Sequence, residues 1–327
     1  MNPEKLRKAK ESAIKALMPQ DKPGNVVGVG IGKKVVEGTL TDCVRVYRLE
    51  TNRIRPADEV QADYEGVPTD VIEIKRLGRK GLTPTPAFDP KADFTPRPGS
   101  AIRVDTDAPN VNSGATGTLG MVVSYADQRY ILSCNHTLSA NGRVLMDPDA
   151  KIVSAVFVGD EPPIADPDRH YVRISNGDSI GDCALARING YTKTVSAAFP
   201  AAFIDPKPYP KDPRPQMRVK KLGAATGITH GTIVDLDIDL DVDYDFGTFR
   251  FRGQIAIQGD EDEFATAGDS GSIVVDEESK QPVAMIFAAS GKYAIACRLS
   301  EVVEALRLQL ANGKDGGPGL NLLVHDA

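Results

Sequence analysis

Ala267-Gly-Asp-Ser-Gly-Ser272 is the stretch on which the reading of this chain turns. It sets Ser270 between two glycines, directly after Asp269, and the apolar residues Ile273, Val274 and Val275 follow as a strand. A serine hydroxyl is a weak nucleophile until a base takes its proton and nearby N–H groups receive the developing negative charge. Glycines at 268 and 271 permit the tight turn that exposes such a hydroxyl and points backbone amides at one spot. The N–H groups of Gly268 and Ser270 are the expected oxyanion hole.

Working outward, the chain supplies a base and a carboxylate upstream. His136 lies in Tyr130-Ile-Leu-Ser-Cys-Asn-His-Thr-Leu138, and Asp182 lies in Gly181-Asp-Cys-Ala-Leu185. Four histidines are present, and His170, His230 and His325 lack a comparable setting. The chain order His, Asp, Ser is one of the three known orders of the catalytic triad. In that arrangement Ser270 forms the acyl intermediate, His136 acts as base and then acid, and Asp182 fixes the imidazole tautomer.

Composition narrows the alternatives. The chain has 327 residues, 41% hydrophobic and 26% charged, with a net charge of −6 and no tryptophan. It is long enough for more than one core. The acidic balance, without a lysine- or arginine-rich block, argues against a nucleic-acid partner. No apolar run reaches the roughly 18 residues a membrane span needs. Residues 1–20 lack the apolar centre of a secretory signal, so a cytoplasmic location is expected. Four cysteines (Cys43, Cys134, Cys183, Cys297) are scattered without paired spacing and read as buried thiols. No cofactor or metal is expected.

Periodicity predicts a helix over 2–18, with Leu6, Ala13, Ile14 and Leu17 near one face. Strands follow at 26–31, 43–49 and 71–74, with a short helix at 56–64. This is a small α/β module over residues 1–80. The Val26-Val-Gly-Val-Gly-Ile-Gly32 run lacks the spacing and the following helix of a dinucleotide site; its glycines imply close approach of another element. A proline-rich linker spans 81–99. Many short strands with turns between them then predict antiparallel barrels or sandwiches, over 100–205 and 206–312. One helix after Ser300, capped by that serine and stopped at Asn312-Gly313, closes the second unit. Residues 313–327 are expected to be a flexible tail, with docking of Leu320, Leu322, Leu323 and Val324 on a neighbour as the alternative.

Over about residues 100–310 the chain resembles the chymotrypsin-fold (trypsin-like) serine peptidases. It is most similar to the bacterial trypsin-like peptidases related to the plant narrow-leaf proteins, which carry a similar leading module. Asn25-Val-Val-Gly-Val-Gly-Ile-Gly32 and Gly66-Val-Pro-Thr-Asp-Val-Ile-Glu73 look like segments of that module. Gly117-Thr-Leu-Gly120 and Tyr130–His136 look like the strand pair leading to the catalytic histidine. Lys221-Leu-Gly-Ala-Ala-Thr-Gly-Ile-Thr-His-Gly-Thr-Ile233 looks like the first hairpin of the second barrel. The resemblance implies a mainly β fold: two antiparallel barrels of chymotrypsin type with a C-terminal helix, the triad meeting between them. It implies a serine endopeptidase acting on protein or peptide substrates; the lack of a secretory signal makes an intracellular substrate the expectation, and the lack of an activation sequence makes regulation through the leading module and its partner, or through self-cleavage, the expectation. The alternative is a catalytically silent peptidase-fold binding or regulatory protein.

Departures from the pattern are specific. No histidine-loop disulfide and no activation terminus are present, so Asp269 must find a partner other than a newly cut N-terminus or hold its loop by backbone hydrogen bonds. Substrate binding is expected at Phe264, six positions before the serine, and along the edge strand at Ala288, Ala289, Ser290 and Gly291. Glu263 and Asp262 beside Phe264 leave basic and apolar preferences both open. Finally, Asp235, Asp237, Asp239, Asp241, Asp243 and Asp245 alternate with apolar residues. Period two would put every carboxylate on one strand face, a solvated edge; docking of basic partners comes next, and calcium last.

Overall fold

The computed structural model describes all residues except 20–23, 52–57, 76, 78–94, 108–114, 146–153, 159–161, 178, 189, 191–193, 204–205, 262, 314–317 and 327. Most of the linker expected at 81–99, and Asp262, lie outside the described residues. Helix α1 (Pro3–Leu17) opens the chain, with the Asn2 side chain accepting from the Glu4 amide at 2.9 Å. Its buried face is Leu6, Ala9, Lys10, Ala13 and Leu17, the three-and-four spacing of an amphipathic helix. Strands β1 (Val26–Val36), β2 (Thr39–Leu49), β3 (Asp63–Tyr64) and β4 (Val67–Ile74) complete the module. The helix expected over 56–64 is corrected at its end, because Asp63 and Tyr64 pair with Pro68 and Val67 as a short strand.

The first barrel unit contains β5 (Ala101–Thr106), β6 (Ala115–Thr118), β7 (Met121–Tyr125), β8 (Gln128–Ser133), the one-turn helix α2 (Asn135–Leu138), β9 (Ser154–Phe157), β10 (Asp166–Tyr171) and β11 (Ala184–Arg187). It forms sheets ordered β6-β5-β9 and β10-β11-β8-β7, joined by a bridge between Val156 and Ala165. The second unit contains β12 (Arg218–Gly223), β13 (Gly227–Tyr244), β14 (Gly247–Gly259), β15 (Ile273–Asp276), β16 (Pro282–Ser290) and β17 (Tyr293–Arg298). Its order is β12-β15-β16-β17-β14-β13, and β13 pairs again with β12, so the sheet closes into a six-stranded antiparallel barrel. Closure removes the exposed edges that an open sheet would present.

Strand alternation sorts the side chains. Val122 and Ile131 point into the first-barrel core with Ile102, Leu119 and Val156. Their chain neighbours Met121, Val123 and Leu132 point the other way, into a cluster shared with Ile273, Val275, Met285 and Phe287 of the second barrel. That cluster holds the two barrels together. Helix α3 (Leu299–Leu310) buries Val302 and Leu306 in it. The helix cap differs from expectation: Ser300 lies inside the helix, where its hydroxyl bonds to Asp212 at 3.1 Å, and Arg298 occupies the cap position without a side-chain capping bond. Asn312 and Gly313, both at positive φ, end it as expected.

Two other expectations need correcting. The tail expected to be flexible contains β18 (Asn321–Leu323), which pairs antiparallel with β7, and Leu320, Leu322 and Val324 are buried. The aspartate strand β13 is not a solvated edge, since it pairs with β14 on one side and with β1 of the module on the other. Register shifts between Ile233 and Leu240 also break the period of two. Asp235 is buried against Arg45 and Tyr47, Asp237 and Asp239 clamp Lys10 of α1, and Asp241 pairs with Arg250. The basic groups that dock there belong to this chain. The close approach inferred from the glycine run is to this same strand. A side chain at Gly28 would press on Leu240, and one at Gly30 on Ile238.

Candidate active site

His136 sits on α2, immediately after β8, where the end of the first-barrel sheet meets the cluster between the barrels. Its backbone N–H donates to Asp182 Oδ1 at 3.0 Å, and its ring Nδ1 donates to Asp182 Oδ2 in a short bond. Asp182, just before β11, is fully buried. Its Oδ2 also accepts from the Tyr244 hydroxyl at 2.8 Å. Burial works to raise the Asp182 pKa, but the imidazole contacts and the tyrosine hydroxyl outweigh it and hold the carboxyl below its ordinary value. The ionised acceptor keeps the ring proton on Nδ1, which leaves Nε2 as the basic lone pair. Nε2 is buried and has no hydrogen-bond partner among the described residues.

Ser270 and His136 line one cavity of about 240 Å³, together with Tyr244, Thr266 and residues 286–290. Ser270 is 8% exposed and His136 5%. The two side chains are brought to one cleft without a hydrogen bond between them. The nucleophile loop is fixed from both barrels. Thr118 of β6 donates its N–H to the Ser270 carbonyl at 2.7 Å and its hydroxyl to the Gly268 carbonyl at 2.8 Å. From the second barrel, the Gly271 amide donates to the Ile286 carbonyl at 2.8 Å, and the Ser272 hydroxyl donates to the Asp269 carbonyl at 2.6 Å. Gly268 and Gly271 have φ of 101° and 97°, the region an L side chain avoids. The N–H groups of Gly268 and Ser270 make no hydrogen bond among the described residues; Ser270 lines the cleft, and Gly268 is buried outside its lining.

Asp269 finds its partner inside the chain. Lys221 of β12 reaches it at 3.3 Å, with both side chains fully buried. Asp269 also accepts from the amides of Ala225 at 2.9 Å, Thr226 at 3.2 Å and Thr266 at 3.0 Å, and from the Thr226 hydroxyl at 2.7 Å. Burial lowers the Lys221 pKa, and Asp269 offsets part of that shift. The carboxylate therefore ties the loop that carries Ser270 to the β12–β13 turn.

The other expected residues divide. Ala288, Ala289 and Ser290 line the cleft. Phe264 does not: its ring is fully buried in the second-barrel core, where a side chain at Gly231 would strike it. The cleft wall at that point is Glu263, Ala265, Thr266 and Ala267. Gly291 lies in the β16–β17 turn at φ 54° and is not part of the lining. Sequence reasoning missed Tyr244, Lys221 and Lys75, the last contributed to the cleft by the N-terminal module. No local pattern marks Tyr244, which arrives from the far end of a long hairpin; Lys221 directly follows Lys220, and a pair of lysines beside Leu222 carries no signal of burial.

The thiol of Cys134, the His136 ring and the Asp182 carboxylate lie within 4.8 Å of one another, within reach of a common ion. The ring nitrogen and the carboxylate are bonded to each other, and the thiol donates to the Ile286 carbonyl at 3.2 Å, so these donors are spent on the dyad and the barrel contact. All four cysteines are buried thiols outside any disulfide.

No family profile matches the chain, and no curated protein does. Among solved structures, it is similar to Thermobifida fusca protease A, at 15% identity and TM-score 0.42 over 69% of this chain and 98% of that one. Cellulomonas bogoriensis chymotrypsin is matched at 16% identity and TM-score 0.40, over 71% and 100%. A glutamic acid specific serine protease is matched at 12% identity and TM-score 0.45, over 69% and 99%.

Proposed function

We propose that this protein is a serine endopeptidase that works through an acyl-enzyme on Ser270. The observation that carries the reading is the His136–Asp182 dyad. Its imidazole is held in the tautomer that leaves Nε2 basic, and it faces the same cleft as a glycine-flanked serine. On this reading a rotation of the Ser270 side chain brings Oγ to Nε2. Nε2 takes the hydroxyl proton as Oγ attacks the peptide carbonyl carbon. The carbonyl oxygen becomes an oxyanion and receives the Gly268 and Ser270 amides. His136 then gives the proton to the departing amine, and water activated by the same nitrogen hydrolyses the ester. Asp182 and Tyr244 hold the ring and its charge through both steps.

Along the same reading, the substrates are polypeptides inside the cell, the leading module meets a regulatory partner, and the nearest kin are the bacterial relatives of the narrow-leaf proteins. No helix of the described residues is long and apolar enough to cross a membrane. One observation favours a second reading, a silent peptidase scaffold that binds without turnover: Nε2 of His136 has no hydrogen bond to Ser270. Peptide-library hydrolysis separates the two. Turnover that disappears in Ser270→Ala supports the enzyme, and absence of turnover across the library by folded protein supports the scaffold.

A further inference from the structure

We propose that the N-terminal module is a working part of this active site: through Lys10 it fixes the bend of the β13–β14 hairpin and so holds Tyr244 on Asp182. The inference rests on the peptidase reading and deepens it, assigning Lys10 as a positioning residue that acts through Tyr244. The base of the hairpin belongs to the second barrel. There β13 pairs with β12 as far as Thr232, and β14 pairs with β17 from Ile255 onward. Past those points the two strands run on as a pair to Tyr244, which lies opposite Gly247 beside the turn. This far end reaches the dyad. The Tyr244 hydroxyl donates to Asp182 Oδ2 at 2.8 Å, and its ring lies 5.6 Å, centre to centre, from the His136 ring. On the β14 side the hairpin is met by a bridge from Ser179 to Phe251. On the β13 side it is met by the module.

The direction of that far end is set where the ladder is irregular. The β13–β14 register shifts between Ile233 and Asp235, between Asp235 and Ile238, and between Ile238 and Leu240. Such bulges bend a strand and interrupt its ladder, so the bend needs support from outside the pair. The module grips this stretch. Its strand β1 pairs there, Val29 with Asp239 and Gly28 with Leu240. Lys10 of α1, 5% exposed, donates to Asp237 Oδ1 at 2.7 Å and to Asp239 Oδ1 at 2.8 Å, one carboxylate on each side of Ile238. Arg45 of β2 donates to Asp235 Oδ1 at 3.0 Å. A buried ammonium shared by two carboxylates holds their spacing, because giving up either contact leaves charge without its partner. From Leu240 to Tyr244 the register is regular, four strand steps or about 13 Å. A change of about 5° in the bend would move the Tyr244 hydroxyl by about 1 Å over that length, enough to break its bond to Asp182.

The test measures peptide hydrolysis by the full chain in Lys10→Met, Tyr244→Phe and the double variant. Tyr244→Phe is expected to lower kcat about tenfold, the scale of one hydrogen bond to a charged group. Lys10→Met is expected to lower kcat at least about fivefold with KM changed less than about twofold, and to lower kcat less than about twofold further in the Tyr244→Phe background. Gly30→Ala repeats the cycle with every charge in place, since its methyl would lie 2.8 Å from Ile238 Cγ1, in the middle of the bend. It is expected to follow the same pattern, and it carries the test if Lys10→Met does not fold. Unchanged kcat in the folded single variants, or equal losses with and without the Tyr244 hydroxyl, overturns the inference. Labelling of wild-type Ser270 by a small fluorophosphonate separates the two levels. A labelled wild type whose variants behave in either of those ways refutes only the positioning role, whereas an unlabelled one removes the peptidase reading and the positioning role with it.

Discussion

Replacing Lys221 by methionine keeps much of the volume of that buried side chain and leaves Asp269 without its cation. At 3.3 Å, with an effective dielectric constant near 20, the pair is worth about 5 kcal/mol of Coulomb attraction. Removing one member of such a buried pair typically costs about 3–5 kcal/mol. Asp269 keeps three amide donors and one hydroxyl donor, which places the expected cost near the lower end, about 3 kcal/mol. Urea unfolding of Lys221→Met, Asp269→Asn and the double variant gives the coupling directly. The double variant should lose less than the sum of the singles by at least about 2 kcal/mol. Because Asp269 anchors the loop that presents the Gly268 and Ser270 amides, Lys221→Met should also slow fluorophosphonate labelling by roughly 10²-fold or more, the scale of losing one oxyanion donor. A loss below about 1 kcal/mol, or strict additivity, would show that the pair does not hold the loop.

Asp182→Asn should lower turnover by about 10⁴, because the ring loses the acceptor that fixes its tautomer; a loss below tenfold in peptide hydrolysis would remove Asp182 from the mechanism. Tyr244→Phe deletes one donor to that buried carboxylate and should cost about 1–3 kcal/mol in urea unfolding. Losing a donor to the ionised form raises the Asp182 pKa, so the stability this carboxyl contributes should be fully lost at a higher pH on acidification in urea titrations of the variant; no movement contradicts the Tyr244 role. Burial pushes the Asp235 carboxyl up to about 6, against Arg45 and the Tyr47 hydroxyl, which lower it. Its stabilising contribution is full below the unfolded value of 3.8 and is lost as pH rises through about 6, a swing of about 3 kcal/mol. Relative to Asp235→Asn, the wild type should therefore gain stability from pH 7 to pH 4.5 in urea titrations; a flat difference would refute it.

Much of the architecture is legible because it follows from periodicity. The β13–β14 hairpin, β16 and β17 are nearly continuous apolar or alternating runs bounded by turns, and each is found close to its expected limits. Strand β10 escapes detection, since Asp-Pro-Asp-Arg-His-Tyr has no apolar period; among the described residues it pairs with β11, and its Tyr171 carbonyl accepts from Gln309 of α3. The nucleophile loop is legible from its glycines, whose positive φ only that residue accommodates cheaply. Contacts between units are not. Lys10 and Arg45 reach β13 across roughly 190 to 230 residues of sequence, and Ser290 reaches Lys75 across 215. Counting six positions back from Ser270 to Phe264 fails for a physical reason, since an aromatic ring there fills the second-barrel core and only the neighbouring positions face the cleft.

The central claim is that His136 makes the Ser270 hydroxyl reactive. Intact-mass measurement of the protein after exposure to a fluorophosphonate tests it most directly. The account predicts one adduct, mapping to Ser270, that forms rapidly in the wild type and fails to form in Ser270→Ala and His136→Ala. An adduct on another residue, or one on Ser270 that forms equally fast without the imidazole, would contradict it.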